Sequence, residues 1–186
     1  MYYILKFNVE NSDYYAEKMD IGNLNSTDLL DGIRINPTEL KISLSGTRGT
    51  VADYIGNVYG LDIVSEDIRD LFVEFGEDFV ECYPVTPKRK TDKTFWFIHV
   101  LDNVDCFDFE KSVYEEYGSG TKVISKIDKL VLNEHCDSRH FFRIKDFDFE
   151  IVVSEAFKQA AESRNFEVMK FIPVADFKFD PTKFDL

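Results

Sequence analysis

Apolar and polar positions alternate with a period of two in several short stretches, and the helical spacing appears in two related places. YYILKFNV (2–9) reads as a strand. ELKISLSG (39–46) alternates Leu40, Ile42 and Leu44, as a half-exposed strand does. TFWFIHVL (94–101) is apolar on both faces, which is the pattern of a central strand. KVISKIDKLVLN (122–133) and HFFRIKDF (140–147) read as successive antiparallel strands joined by NEHCDSR. Residues 10–39 are rich in Asn, Asp, Ser and Gly and predict loops with one weak helix near Tyr14–Met19. A short strand is expected at Val51–Ile55. The stretch DNVDCFDFEKSVYEEYGSG reads as acidic loop with one helical turn. The closing DFKFDPTKFDL reads as an acidic, aromatic tail whose last residues are expected to be mobile.

One segment occurs twice. Residues 63–85, IVSEDIRDLFVEFGEDFVECYPV, align without a gap on residues 152–174, VVSEAFKQAAESRNFEVMKFIPV. Val64/Val153, Ser65/Ser154, Glu66/Glu155, Pro84/Pro173 and Val85/Val174 are identical. Each copy opens with an apolar pair and Ser, a preferred helix N-cap because its hydroxyl accepts from an unpaired N–H of the first turn. Glu follows, where a negative charge favours the helix N-terminus. The apolar stripe keeps its phase: Ile68, Leu71, Phe72 and Phe75 in one copy, Phe157, Ala160 and Ala161 in the other. A half-alternating strand then ends at Pro-Val. The unit is strand end, cap, short helix, strand. Two copies predict an α+β fold with a mixed, mainly antiparallel sheet, a few short helices and an internal duplication, in which Phe72 and Ala161 take matching buried places.

Composition narrows the class. A chain of 186 residues suits one domain and needs no covalent staple. The 18 Phe and 9 Tyr predict an aromatic core. Three cysteines, Cys82, Cys106 and Cys136, are widely spaced and form no CxxC, which argues for a reducing compartment. No signal-like or membrane-length apolar run is present, so a cytoplasmic location is expected. The formal net charge of −13 repels nucleic acid and anionic membrane and speeds association with basic partners.

Candidate chemistry is sparse. His135, Cys136 and His140 could bind metal, but HCxxxH lacks the second Cys pair of a structural zinc site, and neither metal nor cofactor is expected. His99 reads as packed in a sheet. Lys88, Arg89, Lys90 and Lys93 form a basic loop too small for a nucleic-acid face. The acids Asp102, Asp105, Asp108 and Glu110 do not fit a calcium loop. They are interleaved with Phe107 and Phe109, and a partner-binding face needs such a mixture of aromatic anchor and steering charge. The contrary reading puts the Phe residues under the sheet. Phosphate-cradle, nucleophile-elbow and zinc-helix motifs are missing from the sequence.

The ordered segments ADYIGNVYGLDIVSEDIRDLFVEF, YPV, WFIHVLDNVDCFDFEKS and FFRIKDFDFEIVVSEAFKQAAE ending in KFIPV resemble a family of bacterial immunity proteins of polymorphic toxin systems. That family was formerly a domain of unknown function and is typified by a Myxococcus immunity protein. The resemblance spans about residues 51–174; residues 1–50 match poorly beyond an opening aromatic strand. Arg164-Asn165 stands where such members often carry a glycine. The resemblance implies a non-enzyme that binds and neutralises a cognate toxin inside the producing cell. Its motif positions are Ser65, Asp105, Asp108, Ser112, Arg143 and Ser154. The two serines read as caps, and a buried pairing of Arg143 with a carboxylate would fix the fold as readily as it would bind a partner. A small metal-dependent hydrolase using the acidic stretch and the histidines, and a regulatory or structural interaction protein, stay open as alternatives.

Overall fold

The computed structural model describes residues 1–9, 14–16, 18–20, 32–35, 42–45, 49–57, 60–87, 90–118 and 123–183. In chain order the strands are β1 (Tyr2–Phe7), β2 (Tyr15–Ala16), β3 (Lys18–Asp20), β4 (Ile42–Ser45), β5 (Gly56–Asn57) and β6 (Ile63–Ser65). Helix α1 (Glu66–Gly76) follows, then β7 (Val80–Pro87), β8 (Phe95–Val100), β9 (Asn103–Val104), β10 (Val113–Glu116), β11 (Ile124–Lys129), β12 (Phe141–Ile144) and β13 (Phe147–Ser154). Helix α2 (Glu155–Ser163) and β14 (Met169–Pro173) complete the set. The first sheet has the order β14-β1-β13-β12-β9 and the second β3-β4-β7-β8-β6. Pairing is antiparallel except at β9/β12, β2/β5 and β4/β7. The fold is α+β, as the alternation predicts.

Both helices pack between the two sheets. Ile68, Leu71 and Phe72 of α1 and Phe157 and Ala161 of α2 are buried with Tyr3, Leu5, Ile151 and Val153 of the first sheet and Val64, Ile98 and Val100 of the second. Phe72 lies edge-on to Phe141 at 5.1 Å and to Phe157 at 4.9 Å between ring centroids. The opposite face of the first sheet (Ile4, Phe142, Val152) packs on Ile124 and Ile127 of β11 and on Phe107 and Phe177. The opposite face of the second sheet (Ile63, Tyr83, Phe97) packs on Tyr14, Ala16 and Ile55.

The duplication extends to strand register. β6 and β7 lie on either side of β8, and β13 and β14 lie on either side of β1. Val64 and Pro84 both face Trp96, and their counterparts Val153 and Pro173 both face Tyr3. Val80 faces Val100 as Met169 faces Phe7. Side-chain contacts repeat as well. Arg69 lies over the Trp96 ring at 4.3 Å, and its counterpart Lys158 lies over Tyr3 at 5.2 Å. Glu66 pairs with Arg69 and Glu155 with Lys158. The central strand of the first unit follows the unit in sequence, whereas that of the second is the start of the chain. Phe72 and Ala161 are both buried, as predicted.

Several local expectations are corrected. Tyr14–Met19 is not a helix: residues 15–16 and 18–20 are strands, because β5 and β4 supply their ladder partners. Val51–Ile55 contributes only a bridge between Tyr54 and Val64, and the strand there is β5. β11 does not pair with β12; it pairs with β10, within the stretch read as loop, while β12 joins β13 and β9. In the tail Phe177 is buried and Phe179 bridges Ile127, while its last residues, 184–186, for which mobility was expected, lie outside the described ones. Asn165 has φ +56°, so it takes the left-handed conformation that a glycine would otherwise supply.

Candidate functional site

The acidic stretch runs from the end of β8 past β9 into a turn before β10. Its residues are held in different ways. The Asp102 carboxylate contacts Arg139 Nε at 2.7 Å, and its carbonyl accepts from the Arg143 N–H at 2.8 Å. Asp105 is exposed, and its carbonyl lies 2.9 Å from His135 Nδ1. Asp108 organises the turn: its Oδ1 accepts from the N–H groups of Glu110 (3.2 Å) and Lys111 (3.0 Å), and its Oδ2 accepts from Lys111 Nζ (2.8 Å). The hydrogen bonds from Lys111 hold the Asp108 carboxyl below its usual range. Glu110 is exposed. Ser112 ties this turn to the next segment, donating to the Val131 carbonyl (3.3 Å) and accepting from the Val131 N–H (3.0 Å).

Phe107 is not an exposed anchor. It is only 2% exposed, packed with Phe109 at 4.7 Å and Tyr114 at 5.4 Å, and its backbone bridges Leu132. Alternation along an irregular segment does not fix which face meets the core, and here Cys106 and Phe107 both turn inward. Phe109 is half-buried beside them.

The other motif residues lie on or beside the strands of the two sheets. Arg143 donates from Nη1 to the Asp148 carbonyl (2.9 Å) and from Nη2 to Asp62 Oδ2 (3.0 Å), joining β12 to the loop before β6. Burial raises the Asp62 carboxyl above its usual range, and Arg143 pulls it part of the way back. Burial likewise raises Glu150, which pairs with Lys6. Ser154 accepts from the Phe157 N–H at 3.2 Å, a true cap, and lies 3.0 Å from His140 Nδ1. Ser65 is a correction: its backbone has cap geometry, but its buried hydroxyl makes no hydrogen bond.

Cys136 directs its thiol to the Asn133 carbonyl at 3.1 Å, so it and the two nearby histidines engage three separate partners. Among the described residues, no three His, Cys, Asp or Glu side chains are grouped to hold a metal ion. His99 is buried in β8 and stacked on Phe97 at 6.2 Å. Lys93 pairs with Asp53 at 2.7 Å, while Lys88 and Arg89 lie outside the described residues. No described helix is long and apolar enough to cross a membrane.

An apolar groove of about 610 Å³ lies beside the Ser112-bound segment, lined by Tyr2, Leu130, Leu132, Pro173, Val174 and Ala175. No sequence reading singled it out. The run Leu130-Val131-Leu132 is its one local signal, but the other wall comes from a distant part of the chain.

No curated protein matches the sequence. The model of the Immunity protein family (Imm11) matches residues 31–176, which takes in both helices and every strand from β4 to β14. The chain therefore belongs to the Imm11 immunity protein family.

Proposed function

We propose that this protein binds and neutralises a cognate secreted bacterial toxin in the cytoplasm of the producing cell, and does so without catalysis. The observation that carries the proposal is membership of an immunity family over residues 31–176. The charge of −13 supports a toxin with a basic surface rather than a nucleic-acid or anionic-membrane partner. The arrangement of the acidic stretch supports binding in preference to chemistry. Asp102 and Asp108 are committed to Arg139 and Lys111, which leaves Asp105 and Glu110 as its exposed carboxylates. The hydrolase alternative gains no support from His135, Cys136 and His140, whose contacts diverge.

Asp105 and Glu110 act in this reading as steering charges, with Asp102, Asp108 and Phe109 shaping the surface and Phe107 supporting it from beneath. The test is co-expression with a toxin domain identified by searching the neighbouring genes, followed by charge reversal at Asp105 and Glu110. Rescue of growth by the wild type is expected, with association slowed in the reversed variant and the difference shrinking as salt rises. A wild type that neither binds the toxin domain nor rescues growth refutes the proposal. Full-speed association of the reversed variant moves the steering charges elsewhere.

A further inference from the structure

We infer, on the strength of that reading, that the toxin is anchored by an apolar segment with Lys or Arg at its flanks, seated in the groove between residues 130–132 and 173–175. The acidic stretch lacks an exposed anchor of its own, because Phe107 is in the core. High-affinity interfaces concentrate binding energy in a desolvated apolar centre surrounded by a polar rim. The groove supplies that centre, and it is contiguous with the acidic stretch. Val131, between its lining residues Leu130 and Leu132, accepts from the Asp108 N–H at 3.0 Å and is bonded to Ser112, while Leu132 bridges Phe107.

Residues 174–176 form a 3₁₀ turn on the groove wall, so the wall presents side chains and no strand ladder there, and side-chain burial is the main attraction for an occupant.

The groove is preformed. The Phe177 N–H donates to the Val174 carbonyl at 3.2 Å, and the Phe177 ring is only 3% exposed in the core beneath. A wall held in this way loses little conformational freedom on binding. The chemistry of the flanks follows from charge. Asp176 lines the groove together with Lys129 and Met1, and the negative excess comes from its surroundings: Glu110 and Asp105 are exposed on the adjoining stretch and the chain carries −13 overall.

The test uses the full chain and the toxin domain that the co-expression experiment identifies, with association and dissociation measured at low and high salt. Ala175 is exposed, so Ala175→Arg obstructs the groove without burying a charge; Val123→Arg, at another exposed apolar position, matches its charge. Ala175→Arg is expected to raise the dissociation rate about tenfold or more at both salts, while association stays within about twofold and Val123→Arg resembles the wild type. A photo-crosslinking Ala175→p-benzoyl-phenylalanine chain is expected to capture an apolar toxin segment flanked by Lys or Arg. Wild-type kinetics for Ala175→Arg, with crosslinks to no such segment, overturn the groove assignment and leave the functional reading standing. Self-association of the free chain that Ala175→Arg abolishes also overturns it, by making a second copy the occupant. A wild type that binds no toxin overturns the functional reading and the groove assignment together.

Discussion

Arg143 offers the sharpest test of how the two sheets are held together. Its guanidinium is 11% exposed and the Asp62 carboxylate 17%, with 3.0 Å between them. Arg143→Met leaves the carboxylate in its buried place without its main cation. Removing one partner of a buried pair costs about 3–5 kcal/mol, and the lower end applies because Lys6 still contributes a favourable field at Asp62. For a chain of this size about 3 kcal/mol lowers the melting midpoint by roughly 6–12 °C. Replacing both partners, as Asp62→Leu with Arg143→Met, is expected to recover at least half of that loss, because no uncompensated charge remains. The pH dependence has a definite sign. The folded-state pKa of Asp62 is raised above that of the unfolded chain, so the unfolded state ionises more readily and stability falls as pH rises through the window between the two values. Without Arg143 the folded value rises further. The deficit of the single variant is therefore larger at about pH 7.5 than at about pH 5, where protonation relieves the buried carboxylate. Urea unfolding of the wild type, both single variants and the double variant at both pH values measures this. A deficit below about 1 kcal/mol for Arg143→Met, or one equal at the two pH values, refutes the reasoning.

Other perturbations follow from the same geometry. Ser154→Ala is expected to cost about 1 kcal/mol in thermal unfolding by removing the cap on Phe157, whereas Ser65→Ala, which frees an unpartnered buried hydroxyl, leaves the midpoint unchanged or slightly higher. Equal losses in the two variants would contradict the cap assignment. Phe72→Ala opens a cavity where α1, α2 and β12 meet and is expected to cost about 3–5 kcal/mol; one cooperative transition, seen alike by far-UV and aromatic signals, is the expected form of unfolding, and two separated transitions would show that the halves fold independently. Asn165→Gly is expected to be tolerated, but Asn165→Val to lose about 1–2 kcal/mol in chemical denaturation, because a β-branched residue resists φ +56°.

The elements that depend on neighbours along the chain were legible in the residues alone. A run apolar on both faces placed the buried strand within 94–101, the i, i+3, i+4 stripe placed α1 and α2, and the repeat of Val-Ser-Glu and Pro-Val marked two equivalent units. The order of those segments was enough to resemble the family to which the chain belongs. Which strands meet was settled by the packing of the whole fold. A period of two says which side chains share a face and leaves the partner open. Hence β1, at the start of the chain, became the central strand of the last unit, and β11 paired backward with β10 instead of forward with β12. Identical Ser-Glu pairs diverged for a similar reason. The Ser154 hydroxyl lies beside His140, while the Ser65 N–H bonds to the Asp53 carbonyl and the Asp53 carboxylate is drawn to Lys93. Phe107 was turned inward by the bridge to Leu132, and the groove exists because residues 130–132 and 173–175, distant in sequence, are brought together on Tyr2. Burial and pairing across such separations are set by the competition among all apolar faces for one core, which no local window of residues contains.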